Sequence, residues 1–179
     1  MFNPKKHTRL QNLAALGAIF SVIAAFAILW LAGLPDVPRL ERAPAFTALT
    51  IDGHRLQITE QPNQPVVLNF WATWCVPCVT EMPRLEAAYR QYHIQDNLLI
   101  VGINAAEDED TVRAWLAERD ITFPIVLDQF RELERAYQVG GTYPTTIFID
   151  KGGNIVRVHR GILTEKALAQ NLASIGVKN

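Results

Sequence analysis

Val66-Val67-Leu68-Asn69-Phe70-Trp71-Ala72-Thr73-Trp74-Cys75-Val76-Pro77-Cys78 is the stretch on which the fold turns. It opens as an apolar run, the pattern of a strand buried on both faces. Beyond the cysteines the period changes: Cys78, Met82, Leu85, Tyr89 and Tyr92 recur at steps of four and three, one face of a helix. A buried strand therefore ends and a helix begins near Cys75. Unpaired N–H groups and the helix dipole at such a point favour a thiolate, the species that attacks a disulfide. Cys78 lies one turn further in, on the apolar face, placed to resolve a mixed disulfide by attacking Cys75.

These are the only two cysteines of the 179-residue chain. A structural disulfide gains stability chiefly by closing a long loop, and this loop is nearly as short as a loop can be. A secreted disulfide scaffold would need more than two cysteines. Redox chemistry remains, or half of a zinc site. His54, His93 and His159 are the histidines outside the N-terminal tail, and none forms a close pair.

Outward from the cysteines, Leu98–Ile103 is a second continuous apolar run and reads as the neighbouring buried strand. Before them, Phe46–Thr50 and Arg55–Ile58 read as a small hairpin turning at Asp52-Gly53. After them, a helix is expected from near Asp108, with Val112, Trp115 and Leu116 inward. A short strand at Phe123–Leu127 and a short helix at Arg131–Tyr137 follow. Thr145–Ile149 and Ile155–His159 flank the turn signal Gly152-Gly153-Asn154, and Leu168, Leu172 and Ile175 mark a last amphipathic helix. Strands alternating with helices, then a hairpin and a closing helix, predict an α/β sandwich.

At the N-terminal end, Leu13–Leu34 runs 22 residues without a charge. As a helix it would span roughly 33 Å, enough for a hydrocarbon core of about 30 Å. Lys5, Lys6 and Arg9 precede it and Asp36 follows, which by the positive-inside rule leaves the N-terminus in the cytoplasm and the domain outside. The alternative is a cleaved signal peptide at Ala25-Phe26-Ala27 or Ala43-Pro44-Ala45, although the run exceeds a usual h-region of about 7–15 residues. The expected organisation is a cytoplasmic tail (1–12), one transmembrane anchor (13–34), a linker (35–44) and a single domain (45–179). Of the 17 basic residues three precede the run, so 14 face 18 acidic ones beyond it. A mildly acidic domain without a basic stretch gives no footprint for nucleic acid.

Taken together, the motifs resemble the thioredoxin superfamily, and Ala43–Ser174 is similar to its membrane-anchored, extracytoplasmic TlpA/ResA/CcmG-type branch. The resemblance is carried by Ala43-Pro44-Ala45-Phe46, the stretch from Asn69 to Cys78, Glu81-Met82-Pro83-Arg84-Leu85 and Pro144-Thr145-Thr146. It implies a thioredoxin-like fold with an N-terminal hairpin and a helix–strand insertion over roughly Ala105–Gln129. It also implies a structural Pro83, and a cis-Pro144 facing Cys75 whose preceding residue, Tyr143, offers its backbone to the substrate. Trp71 is read as core and Trp74 as rim beside Cys75. Two departures stand next to the site: the stretch Tyr137–Pro144 is one residue longer than usual, with Gly140-Gly141 in it, and a Tyr before the proline is unusual.

Asn69 occupies the strand position at which thioredoxins carry a buried Asp that moves the second cysteine's proton. Asn cannot do this. The resemblance assigns the task to Glu107; the plain alternative makes Glu107-Asp108-Glu109-Asp110 an acidic helix start with Asp108 as its cap. The candidate site is then Cys75, Cys78 and Glu107 for the chemistry and Trp74, Tyr143 and Pro144 for the substrate, with no cofactor and no metal. The expected function is dithiol–disulfide exchange on protein disulfides outside a bacterial cytoplasmic membrane. The domain is expected to act as a reductant supplied by a membrane dithiol donor, in cytochrome c maturation or related periplasmic thiol reduction. The rivals are a disulfide oxidase or isomerase, a peroxidase of related fold, and a redox-inert module holding apo-cytochrome or copper.

Overall fold

The computed structural model describes Ser21, Ala24 and residues 41–178. The expected anchor, 13–34, lies outside the described residues apart from Ser21 and Ala24. Among the described residues no helix is long and apolar enough to cross a membrane.

Within residues 41–178 the elements follow one another in the order β1 (Phe46–Leu49), β2 (Arg55–Ile58), β3 (Val66–Trp71), α1 (Val76–Gln95), β4 (Leu99–Ala105), α2 (Glu109–Ala117), β5 (Ile125–Asp128), α3 (Glu132–Ala136), β6 (Thr145–Ile149), β7 (Ile155–Arg160) and α4 (Glu165–Ser174). The main sheet has the order β5-β4-β3-β6-β7. β3, β4 and β5 are parallel, whereas β6 and β7 each run antiparallel to their neighbour. The hairpin β1–β2 forms its own small sheet, bridged to β5 between Thr50 and Val126.

β3 is central, and every one of its residues is buried. Its side chains alternate between two cores, as a period of two requires. Val67 and Trp71 join Met82, Leu85, Val112, Leu168 and Leu172 on the face carrying α1, α2 and α4. Val66, Leu68 and Phe70 join Ile58, Ile147, Ile149 and Tyr137 on the other. Asn69 falls on the α1 face by the same alternation. The C-terminal end of β3 therefore delivers Cys75 to the sheet edge, where α1 starts.

Element boundaries differ from the sequence reading by a residue or two, for local reasons. β4 continues to Ala105 because Asn104, polar but buried, pairs across from Trp71. β5 starts at Ile125, since Pro124 has no N–H to give a ladder; Phe123 is buried all the same. Glu41–Pro44, placed by the sequence in the linker, are tied to the domain. Ala43 is buried and donates its N–H to the Gly153 carbonyl (2.9 Å), and Ile155 donates to the Glu41 carbonyl (2.8 Å). Arg42 adds bonds to the carbonyls of Glu60 (3.1 Å) and Gly152 (2.9 Å). The β6–β7 turn can only close with glycine at Gly153, where φ is +84° and an added Cβ would fall 1.8 Å from the Glu60 carbonyl oxygen.

Candidate active site

Cys75 is the N-cap of α1, with Pro77 in the first turn, where a missing N–H costs nothing. The two sulfurs are joined as a disulfide across a Cα–Cα distance of 5.2 Å, and the Cys75 Sγ also accepts the Cys78 N–H at 3.3 Å. Cys78 is wholly buried and Cys75 is 5 % exposed, so even the outer cysteine shows only an edge to solvent in this oxidised state. Val76 (75 %) and Trp74 (64 %) stand out on either side of Cys75, while Trp71 is wholly buried. Pro83 lies inside α1 on its exposed side. Among the described residues no three His, Cys, Asp or Glu side chains group as metal ligands.

Beneath the disulfide lies a buried carboxylate that the sequence reading did not single out. Glu81 follows Cys78 by three residues, so both share one face of α1, and both are fully buried. Its Oε1 accepts from the Asn69 side-chain amide (2.8 Å) and its Oε2 from the Leu163 N–H (2.6 Å). Asn69 donates further to the Thr146 hydroxyl (3.0 Å), and its Oδ1 is buried without a partner. Burial raises the Glu81 pKa above the usual carboxylate range, against the pull of Leu163, Asn69, His159 and Arg84. The available signal was an acidic residue on the apolar side of α1, three positions after a cysteine.

Glu107 is not part of the acidic helix start. That start is Asp108, which caps α2 by accepting the Thr111 N–H at 2.8 Å. Glu107 turns toward the site loop instead. It accepts the Thr73 N–H (2.7 Å), the Thr73 hydroxyl (2.5 Å) and the Asn104 amide (2.7 Å). Both oxygens thus hold the residue two positions before Cys75.

The Tyr143–Pro144 peptide bond is cis. Pro144 is buried and its carbonyl accepts the Gly161 N–H (2.9 Å). The additional residue upstream is taken up by two consecutive left-handed glycines, Gly140 (φ +69°) and Gly141 (φ +72°). Tyr143 packs edge-on against Trp74, ring centroids 5.9 Å apart, which brings these two candidates together beside Cys75. Its hydroxyl donates to Glu134, a buried acid on α3 that the sequence reading also passed over.

A mixed sheet of this strand order, with a Cys-x-x-Cys pair capping the first long helix and a cis-proline before the antiparallel hairpin, defines a thiol–disulfide oxidoreductase of thioredoxin-like fold. Residues 40–158 match the AhpC/TSA family, and the chain belongs to it. The chain is similar to the thioredoxin-like protein YneN of Bacillus subtilis, 38 % identical over 74 % of this chain and 77 % of that one. It is also similar to the thiol-disulfide oxidoreductase ResA of Geobacillus thermodenitrificans, 36 % identical over 74 % and 75 %. Among solved structures, a thiol:disulfide interchange protein of Chlorobium tepidum superimposes with a TM-score of 0.69 at 25 % identity, covering 77 % of this chain and 97 % of that one.

Proposed function

We propose that the protein reduces disulfides of other polypeptides on the outer side of a bacterial cytoplasmic membrane, held there by residues 13–34 and re-reduced by a membrane dithiol protein. The observation that carries this is the Cys75–Cys78 pair at the start of α1 with the buried Glu81 one turn below it.

In the reduced protein the Cys75 thiolate attacks one sulfur of a substrate disulfide. A Cys75–substrate bond forms, and the other substrate sulfur leaves as a thiolate that takes a proton from solvent. Cys78 then gives up its proton and attacks the Cys75 sulfur, so that the internal disulfide forms and the second substrate sulfur departs. Two electrons pass to the substrate, and the oxidised pair awaits a donor dithiol. Glu81, raised in pKa and on the same buried face as Cys78, is the acceptor for the Cys78 proton. Glu107, bonded to Thr73 and Asn104, has in this scheme the place of holding the Thr73–Trp74 approach to Cys75. Trp74, Tyr143 and Pro144 form the seat for the substrate chain.

An insulin-reduction turbidity assay with dithiothreitol tests the activity, run beside a metal analysis of the purified protein. Turbidity should rise in step with protein concentration, and Cys75→Ala should abolish it. No acceleration, together with stoichiometric zinc or copper, would replace the enzyme by a binding module. In the reduced protein at pH 7, iodoacetamide should modify Cys75 well before Cys78; the reverse order would exchange their roles.

A further inference from the structure

Tyr143 is held from both ends. Its ring meets Trp74, and its hydroxyl donates to the Glu134 carboxylate. Glu134 is itself fixed: its N–H and that of Leu133 donate to the two oxygens of Asp128 (2.8 and 3.1 Å), which is buried at the end of β5. The Arg131 guanidinium stands 3.8 Å from the Glu134 carboxylate, offsetting part of its buried charge. Gly141 lies beside this group with room to spare, since a Cβ built there would stand 3.9 Å from Glu134 Oε1, an ordinary contact distance. Burial, and then the adjacent Glu134, raise the Tyr143 pKa, so the hydroxyl stays a donor at any physiological pH. One line of contacts thus runs from β5 through α3 to the residue before Pro144 and on to the residue before Cys75.

We propose that Glu134 is a positioning residue whose hold on Tyr143 makes the Tyr143–Trp74 pair a rigid aromatic seat, selecting polypeptide disulfides with a bulky apolar side chain beside the reacting cysteine. The inference rests on the oxidoreductase reading above. A free tyrosine ring would turn with its χ angles and present a different surface to each substrate. Tethered at its hydroxyl, it offers one face, and ordering it costs the substrate nothing at the moment of binding. Trp74 supplies the exposed apolar partner, 64 % of it open to solvent. An aromatic or aliphatic side chain gains contact area with both rings, whereas a glycine gains none. Nothing in the exchange chemistry needs Glu134, which is why its effect belongs in substrate choice.

The test compares the reduction of two disulfide-linked peptides, one with Phe and one with Gly next to each cysteine, with bis(2-hydroxyethyl) disulfide as a substrate lacking any flanking residue. The wild-type protein should prefer the Phe peptide by about tenfold in kcat/KM, the order expected of an apolar seat. Glu134→Ala and Tyr143→Phe should each cut that preference to about twofold through a raised KM for the Phe peptide, and the double variant should lose no more than either alone. Glu134→Gln keeps an acceptor for the hydroxyl and should keep the preference. Equal use of both peptides by the wild type would overturn the inference while leaving the reductase reading intact. So would an undiminished preference in Tyr143→Phe, a variant that leaves the buried acid in place should Glu134→Ala fail to fold. Failure of the wild type to reduce even bis(2-hydroxyethyl) disulfide would instead remove the oxidoreductase reading itself.

Discussion

Glu81 carries opposite consequences for stability and for chemistry. Because its folded pKa is raised above the ordinary value of 4.5, protonation favours the folded state. The stabilisation is complete below about pH 4.5 and is lost as pH rises through the raised value. Glu81→Gln removes this dependence. The substituted side chain keeps an oxygen to accept from Leu163 and leaves no carboxylate charge to be held away from water. Chemical denaturation of the oxidised protein should therefore show the variant equal to or more stable than the wild type at pH 7.5, with the gap closing by pH 4. Resolution of a mixed disulfide should behave in the opposite way: slower in the variant, with its pH dependence flattened. A variant with wild-type resolution kinetics would return the proton to solvent. The cysteines were legible in the sequence because their spacing and setting are local. Glu81 was not, since only the packing of α1 against β3 and the loop at Leu163 makes it a buried acid. Glu134 was hidden for the same reason, its partner being nine residues away across a turn.

At the level of elements, α1 is the piece on which site and insertion both depend, and Glu86 joins them. It accepts the Thr122 N–H (2.7 Å), the Thr122 hydroxyl (2.6 Å) and the Arg90 guanidinium (2.5 Å), tying the third turn of α1 to the segment between α2 and β5. Burial alone would raise its pKa, but the Thr122 and Arg90 bonds outweigh it and the net shift is downward. The sign is thus opposite to that of Glu81: this stabilisation is present above the ordinary carboxylate value and is lost as pH falls through the lowered one. Glu86→Ala leaves the Thr122 N–H and hydroxyl without their acceptor. Thr122 is itself exposed, so water can replace part of what is lost. The cost should be about 1–2 kcal/mol at pH 7, read as a shift of the denaturation midpoint, and less at pH 3. A cost that did not change between these values would mean that packing, and not the carboxylate, holds the two elements together. The elements themselves were readable from period. Continuous apolar runs gave β3 and β4, the four-and-three spacing gave α1, and Gly152-Gly153-Asn154 marked the β6–β7 turn. Ends were missed where a tertiary contact overrode the pattern, as at Glu41–Pro44, whose prolines and charges read as linker but whose backbone pairs with the β6–β7 turn.

For the whole molecule the question is the direction in which electrons flow. Cys75 sits at the helix cap, a place where unpaired N–H groups and the dipole favour a thiolate once the pair is reduced, and Val76-Pro77 puts no cation beside it. The pair should then have a potential nearer that of thioredoxin, about −270 mV, than that of the strong oxidant DsbA, about −120 mV. Outside the cytoplasm such a pair is driven toward the disulfide, so it serves as a reductant only if something returns electrons to it. An anchor at 13–34 would answer that need by keeping the domain within reach of a membrane protein that carries electrons outward. Acid-trapped cells should therefore show Cys75 and Cys78 mainly as free thiols, in a protein that stays with the membrane fraction and is digested by protease added from the outer side. Removing the dithiol donor should convert the pair to the disulfide. A pair found oxidised in unperturbed cells, with a potential above about −150 mV on the same scale, would assign the protein to disulfide formation instead, with Glu81 then serving to protonate Cys78 as the bond is handed on.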